Sequence, residues 1–473
     1  MNIKSFFLFF VGFLFTGQVM ADDSFSIEEL LNTGLPLVQI ETVDGVLPTC
    51  DFVSAPEGCW GSGITNKTKV PSRMTIQKGT EMIYDSGDYV KDKSGLTIAI
   101  RGNSSAYSAK KPYKLKLQKK ADLLMRGDDK TYKDKQWLLL KDDWSISLCS
   151  MIGWKVGELV GLQWTPKFQF VNVTINGDYK GVYMLAEAVK EKAGRLDIDV
   201  DSGYIIEYDA YWWNEDLSLD QGAYYSYAPM RYTFKYPDSE DITNEQLDYI
   251  QQNINNVEAA ITDGTYPDYI DIESFATWLL THDILGTADN GGSNIYLTKY
   301  DNTEDSKLTM ANLWDLDTIM KIEDSWATIH IMRGYYFYWL FLNDNKAFTK
   351  AYVDKWNELS PTFVNQISSF LDDFAASDEA KALDLSRTLD GQRWNIVSRN
   401  VENEVEAAKT WFTNRKTWLD EHVAEIDLST DINKLTSKKE ASSQPVYHLS
   451  GYRMPSGSVN GIMVKNGKKY IHK

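Results

Sequence analysis

Residues 337–425 carry apolar side chains at every third or fourth position with few breakers, as in "FYWLFLNDNKAFTKAYVDKWNEL" and "NEVEAAKTWFTNRKTWLDEHVAEI". Only helices put residues so spaced on one face, which predicts a helical C-terminal part. The front of the chain obeys the other period. "LPLVQIETVDG", "SRMTIQKG", "GLTIAIRG" and "KPYKLKLQ" give short alternating runs broken by Gly, Pro and Asp, the pattern of strands and turns. "FQFVNVTINGDYKGVYMLAEAV" predicts a hairpin about Asn176-Gly177, a dipeptide that suits a two-residue turn of positive φ. Helical spacing intervenes over 146–160, 243–262 and 271–286. Beyond the helices, "TSKKEASSQP" reads as a polar linker, and the tail "VYHLSGYRMPSGSVNGIMVKNGKKYIHK" as short strands with a hairpin signal at Asn466-Gly467. The fold class expected is α+β: strands early, helices late, and a small β appendage.

At 473 residues the chain is long enough to bury a large core. It opens on "MNIKSFFLFFVGFLFTGQVMADD", which predicts a secretory signal over residues 1–21. Lys4 is its positive end, Phe6 to Phe15 its apolar core and Val19-Met20-Ala21 its small-residue cleavage site. That run is short for a membrane span, and no cysteine follows the cleavage point to carry a lipid. The expectation is an exported protein, secreted or at the cell surface, with no transmembrane segment once the signal is removed. Formal net charge is −18, or −19 without Lys4. Such a charge repels nucleic acid and anionic membranes, so no nucleic-acid partner is expected. Cys50 and Cys59 bracket a short loop that a disulfide could close; three free thiols are the alternative, with Cys149 left over either way.

Residues 101–120, "RGNSSAYSAKKPYKLKLQKK", hold seven basic residues and no Asp or Glu in this acidic chain. The small-residue turn from Arg101 through Ser104 could aim N–H groups at an anion, with lysines of the next strand completing the cradle. A solvated basic strand is the bland alternative. Farther on, "ADNGGSN" places Asp289 and Asn294 five positions apart in a Gly-rich loop between a helix and the strand "IYLTKY". That spacing alone means little, because Asp248 and Asn253 repeat it on a predicted helix. A second strand through "LTMANLWDLD" would place Leu313, Asp315 and Asp317 on one face. Two carboxylates and an amide oxygen are hard ligands suited to Mg²⁺ or Mn²⁺. Such a metal would gather the phosphates of a nucleotide while the basic window holds their far side. Glu187 follows a hairpin strand and could pair with a lysine of that window or sit near the nucleotide. His282 reads as a satisfied structural residue. The histidines and cysteines lack zinc-ligand spacing, and neither a G-x-S-x-G elbow nor a Walker-type loop is present.

Taken in order, "IRGNSSAYSAKKPYKLKL", "VNVTINGDYKGVYMLAEAV", "DNGGSNIYLTKY" and "LWDLD" resemble the CotH family of secreted and spore-coat kinases. The later "DKWNEL" and "NRKTWLDEHV" are similar to its helical C-terminal part, so the likeness spans roughly residues 36–425. The resemblance implies an atypical protein-kinase-like fold and transfer of phosphate from ATP to Ser or Thr hydroxyls. It casts Asp289 as the catalytic-loop aspartate, with Asp315 or Asp317 as the metal-binding aspartate and Asn294 supporting the metal. Arg101 and Ser104 would line the phosphate turn, with Lys110 or Lys111 as the phosphate lysine and Glu187 as the family glutamate after the "GVY" strand. The chain departs from the family pattern at Cys149, where Arg is frequent, and in "TIMKIEDSW", where Gly commonly follows "WDLD". The tail is similar to the C-terminal sorting segments of Bacteroidetes proteins exported by the type IX system.

The division expected on this reading is a signal at 1–21, a β-rich part at 22–98 and a kinase-like nucleotide-binding core at 99–330. A helical part at 331–430, a linker at 431–444 and a small β segment at 445–473 complete it. The leading function is a secreted kinase acting on a secreted or surface protein. The competing class is a non-catalytic adhesin or surface-glycan-binding module that keeps the fold, which the 15 Trp and 27 Tyr would suit. A phosphotransferase acting on a sugar or another small molecule is a third.

Overall fold

The structure, a computed structural model, describes residues 25–127, 129–141, 148–219, 230–288, 293–326, 336–343, 345–397, 399–426, 428, 447–448, 461–465 and 468–472. Helix α1 (Ile27–Asn32) starts at Ser26, whose hydroxyl accepts the Glu29 N–H at 3.1 Å. Strands β1 (Leu37–Thr42), β2 (Asp51–Ser54), β3 (Ser62–Thr65), β4 (Val70–Lys78), β5 (Glu81–Asp85), β6 (Leu96–Ile100), β7 (Tyr113–Ala121) and β8 (Asp134–Lys141) follow. Helix α2 (Cys149–Val160) then leads into the hairpin of β9 (Phe168–Ile175) and β10 (Asp178–Glu187). As expected, that hairpin turns on Asn176 and Gly177, with φ of 53° and 77°.

Eight of these strands form one sheet in the order β1-β9-β10-β8-β7-β6-β4-β5. Because β1 runs parallel to β9 on one side and antiparallel to β4 on the other, the first seven close into a barrel. Period two then sorts the side chains. Ile98, Ile100, Leu115, Leu117, Trp137 and Val173 fill the interior, whereas Thr97, Ala99, Lys114 and Lys116 point out of it. The division expected at residue 98 falls within β6, inside this continuous sheet.

Strands β11 (Tyr204–Asp209), β12 (Ser218–Leu219) and β13 (Arg231–Tyr236) come next, then helices α3 (Asn244–Asp263) and α4 (Ile272–Leu285) and strands β14 (Ile295–Lys299) and β15 (Leu308–Met310). They build a second sheet, β12-β13-β11-β14-β15. The last part is helical as its periodicity demands: α5 (Tyr336–Leu342), α6 (Ala347–Ala376), α7 (Asp378–Trp394) and α8 (Val401–Val423). Short strands β16 (Tyr447–His448), β17 (Gly461–Lys465) and β18 (Lys468–His472) form a separate three-stranded sheet. The chain is thus a mixed α+β protein. Among the described residues no helix is long and apolar enough to cross a membrane, and Cys50, Cys59 and Cys149 form no disulfide there.

Two features bring the site-bearing segments together. Gly153 of α2 faces Leu316 so closely that an added Cβ would lie 2.5 Å from its Cδ1, so this glycine lets the "WDLD" segment pack on the helix. On the far side, Arg415 of α8 is buried and donates to the carbonyls of Asp283 at 2.7 Å, Glu323 at 3.0 Å and Ser325 at 2.8 Å. It ties the end of α4 to the chain beyond residue 317. Arg415→Met strands all three carbonyls, so we expect it to cost about 3 kcal/mol or more in urea unfolding. A loss below about 1 kcal/mol would mean that this tie is dispensable.

Candidate active site

Arg101 follows β6 and begins the turn that returns as β7, its N–H bonded to the Pro112 carbonyl at 3.1 Å. The guanidinium lies over the Trp314 ring, 5.9 Å from its centroid. Desolvation lowers its pKa most, while Tyr296, Asp315 and Glu207 oppose the shift. One end of the basic window therefore meets the acidic segment that the sequence singled out more than two hundred positions later.

Asn294 completes the junction. Its side-chain amide donates to Asp315 Oδ2 at 3.3 Å, and its backbone N–H donates to Glu207 Oε1 at 3.0 Å. Asn294 and Asp315 both take left-handed backbone, with φ of 68° and 54°, a conformation that short polar side chains tolerate best. The expected strand through residue 317 is corrected here. β15 stops at Met310, and the Asn312 carbonyl accepts from the Trp278 indole at 3.2 Å. Leu313 and Leu316 are buried while Asp315 and Asp317 are exposed, so Leu313 does not share their face. Asp315 meets Asn294; Asp317 lies next along, its carbonyl 4.0 Å from the Cys149 thiol.

Asp289 lies outside the described residues, but the chain on both sides of 289–292 is fixed. Ala288 N–H donates to the Thr318 carbonyl at 3.1 Å. Thr287 Oγ1 is 3.0 Å from Nδ1 of His282, a buried ring that desolvation lowers to a pKa of about 3. Its Nε2 is buried without a hydrogen-bond partner among the described residues, so the expectation of a satisfied histidine holds at Nδ1 alone. On the other side the Ser293 hydroxyl donates to Asp209 Oδ1 at 3.0 Å.

Glu207 and Asp209 of β11 were not singled out in the sequence. "YIIEYD" is buried at every position, so it reads as core strand. Both carboxylates face the junction. Glu207 also pairs with Lys235 of β13 at 3.0 Å. Burial works against the Lys235 ammonium, yet Glu207, Glu215 and Asp209 hold its pKa above the ordinary lysine value. Asp209 accepts from Tyr211 N–H at 2.8 Å and the Thr233 hydroxyl at 3.2 Å.

Lys235 also lines a cleft of about 610 Å³ between barrel and second sheet. Thr97, Ala99, Lys114 and Lys116 form one wall and Phe234, Lys235 and Tyr236 the other. Desolvation depresses the Lys114 pKa first, with Lys116, Arg101 and Lys67 adding to it and Asp238 opposing. The alternation in "KPYKLKL" was the signal that could have found Lys114 and Lys116.

The other expected contacts lie elsewhere. Lys110 is buried, with Nζ 2.9 Å from both Asp390 oxygens in α7. Lys111 Nζ donates to the Ala106 carbonyl at 2.7 Å and lies over the Phe52 ring. Ser104 is exposed at the start of a short 3-10 turn, Ser104–Tyr107. Glu187 is buried between Arg126 at 2.9 Å and Arg195 at 3.5 Å and accepts the Lys167 N–H at 3.1 Å. These geometries correct the reading of Lys110, Lys111 and Glu187 as residues facing a nucleotide. They hold the turn and the barrel wall.

Among the described residues no three carboxylate, imidazole or thiol groups converge as a metal cage. Asp315 and the Asn294 amide, joined by a 3.3 Å hydrogen bond, instead offer two hard oxygen donors, with Asp317 two residues on. That fits a divalent cation drawing its other ligands from phosphate and water. Arg101 beside such donors makes a candidate site for a polyanion with a hard cation, while the neighbouring cleft sets its lysines among Glu191, Glu215, Asp216, Asp238, Glu240 and Asp241. The family model for CotH kinase protein matches residues 98–419, and the chain belongs to that family. Membership points to a kinase-like phosphotransferase function. No curated protein matches the chain significantly.

The Asp209 carboxyl is pushed up to about 7, by desolvation first and the Glu207 charge next. Between the ordinary carboxylate range and that value the native state holds a proton the unfolded chain has released, so stability falls as pH rises through this window. Asp209→Asn removes that slope. In urea unfolding the variant should gain on the wild type from about pH 5 to about pH 8, and a constant difference would contradict the assignment.

Proposed function

We propose that the protein is a secreted CotH-type kinase that transfers the γ-phosphate of ATP to Ser or Thr hydroxyls of an exported or surface protein. The observation that carries the reading is the approach of Arg101 to Asp315 and Asn294 beside a cleft lined by Lys114 and Lys116. Ala99, Phe234 and Tyr236 offer the base an apolar seat, and Lys114, Lys116 and Lys235, set among the cleft's carboxylates, would meet the phosphates. Mg²⁺ or Mn²⁺, held by Asp315 and Asn294 with Asp317 beside them, would supply charge neutralisation on the triphosphate.

Asp289 takes the proton from the acceptor hydroxyl as its oxygen bonds to the γ-phosphorus. The bond from that phosphorus to the bridging oxygen breaks, and ADP leaves. Arg101 stabilises charge on the transferred group, already desolvated and so not reorganised during the step. Glu207 and Asp209 hold the loop end at Ser293 and Asn294 in place. Residues 1–21 direct export, and the 445–473 segment, with its small sheet, serves as a sorting signal that carries the protein to the cell surface or beyond.

A second reading has its own observation. Phe52 and Tyr107 are exposed with ring centroids 4.2 Å apart, and Trp60 of the same β2–β3 hairpin is exposed too. Such a surface suits sugar rings, as a non-catalytic glycan-binding protein would need.

Incubating the mature protein with γ-labelled ATP, Mn²⁺ or Mg²⁺ and candidate acceptor proteins separates the two. The kinase reading expects metal-dependent transfer that falls by at least about 100-fold in Asp289→Ala and Asp315→Ala. No transfer and no metal-dependent nucleotide binding by the wild type would overturn it. Transfer that survives both substitutions would overturn the site assignment alone.

A further inference from the structure

Lys110 and Asp390 are 280 residues apart in sequence, yet they form a buried ion pair. Lys110 belongs to the turn that starts at Arg101, and Asp390 to α7 in the helical C-terminal part. The ammonium is 2.9 Å from both carboxylate oxygens, and the two side chains are only 2% and 5% exposed. Burying two charges costs several kcal/mol per ion before their attraction offsets it, so such a pair is a poor source of net stability. What it does supply is a fixed position.

The surrounding chain is shaped to admit it. Asp390 Oδ1 also accepts the Val182 N–H at 3.0 Å. It fits there because Gly181, at a β10 irregularity, has no side chain: a Cβ would lie 1.8 Å from that oxygen, and φ is +104°. α7 is pinned on the same strand by Arg393, which donates to the Tyr179 carbonyl at 2.9 Å, and by Trp394, which donates to the Lys180 carbonyl at 3.1 Å.

From Lys110 the constraint passes along the turn. Ser108 Oγ donates to the Lys110 carbonyl at 2.6 Å, Lys111 Nζ to the Ala106 carbonyl, and the Tyr183 hydroxyl to the Lys111 carbonyl at 2.8 Å. The Arg101 N–H closes the turn on Pro112. The two limbs are therefore one stapled body, and α7 holds it through Lys110.

We infer that Asp390 is a positioning residue of the nucleotide site. Acting through Lys110, it sets where the turn presents Arg101 to the polyphosphate, which makes α7 part of the phosphate-binding apparatus. The inference rests on the proposed kinase function only for what the turn binds.

Two variants of the full mature chain test it. Asp390→Asn keeps an oxygen for Val182 but leaves the buried ammonium without this countercharge, so both melting temperature and Mn²⁺–ATP affinity should fall. The double variant Lys110→Met with Asp390→Leu buries no lone charge and should regain stability. Its affinity for Mn²⁺–ATP should stay roughly tenfold weaker, and kcat should fall with it because Arg101 also faces the transferred group. A stable double variant that binds Mn²⁺–ATP like the wild type would overturn the inference and leave the pair a structural clip.

Hydrogen exchange provides the readout that needs no nucleotide. In the double variant the Arg101 and Ala106 amides should exchange at least about tenfold faster while the Val171 and Val173 amides of β9 keep their protection. If the wild type binds no nucleotide, the kinase reading fails by itself, and exchange still decides whether α7 holds the turn. Unchanged protection at Arg101 and Ala106 would overturn that as well.

Discussion

The desolvated guanidinium of Arg101 is the contact on which the rest of the site depends. It leaves the barrel wall at the end of β6 and lies over Trp314, with Asp315, Glu207 and Tyr296 around it. Stripping water from an arginine is costly unless anions surround it, so the barrel and the second sheet meet where that compensation exists. The same arrangement leaves a cation facing the donors of Asn294 and Asp315, ready for a triphosphate and its metal. Net charge is −18, and the cleft sets Lys69, Lys114, Lys116, Lys190 and Lys235 among six carboxylates, so a polyanion there needs Arg101 and a bound divalent cation to offset the local field.

Much of the fold was legible in residue order. Period two marked six of the seven barrel strands and missed β8, Asn176-Gly177 marked the hairpin of β9 and β10, and the 3.6 period marked the long C-terminal helices. Barrel closure was not legible, because pairing β1 with both β4 and β9 is a long-range choice that no local pattern records. It also explains why the sheet runs through the division expected at residue 98.

The site was legible in part, and the misses have physical reasons. Arg101, Asn294 and Asp315 lie together, whereas Asp289 lies outside the described residues. A strict strand pattern through "LWDLD" failed because left-handed backbone at Asp315 breaks period two. Lys110 and Lys111 stood out by charge alone, but each is held inside the turn. Lys114 and Lys116, on the outward face of an alternating strand, line the cleft instead. Glu207 and Asp209 were hidden because a strand buried at every position looks like core, whatever its carboxylates do.

Photolabelling with an azido-adenine analogue of ATP in the presence of Mn²⁺, followed by mapping of the modified peptides, tests the central claim most directly. The account predicts labelling of residues 97–99, 114–116 or 234–236, suppressed by excess ATP and reduced by Arg101→Ala. Saturable, ATP-suppressed labelling confined to other surfaces, with these three segments unmodified, would contradict it.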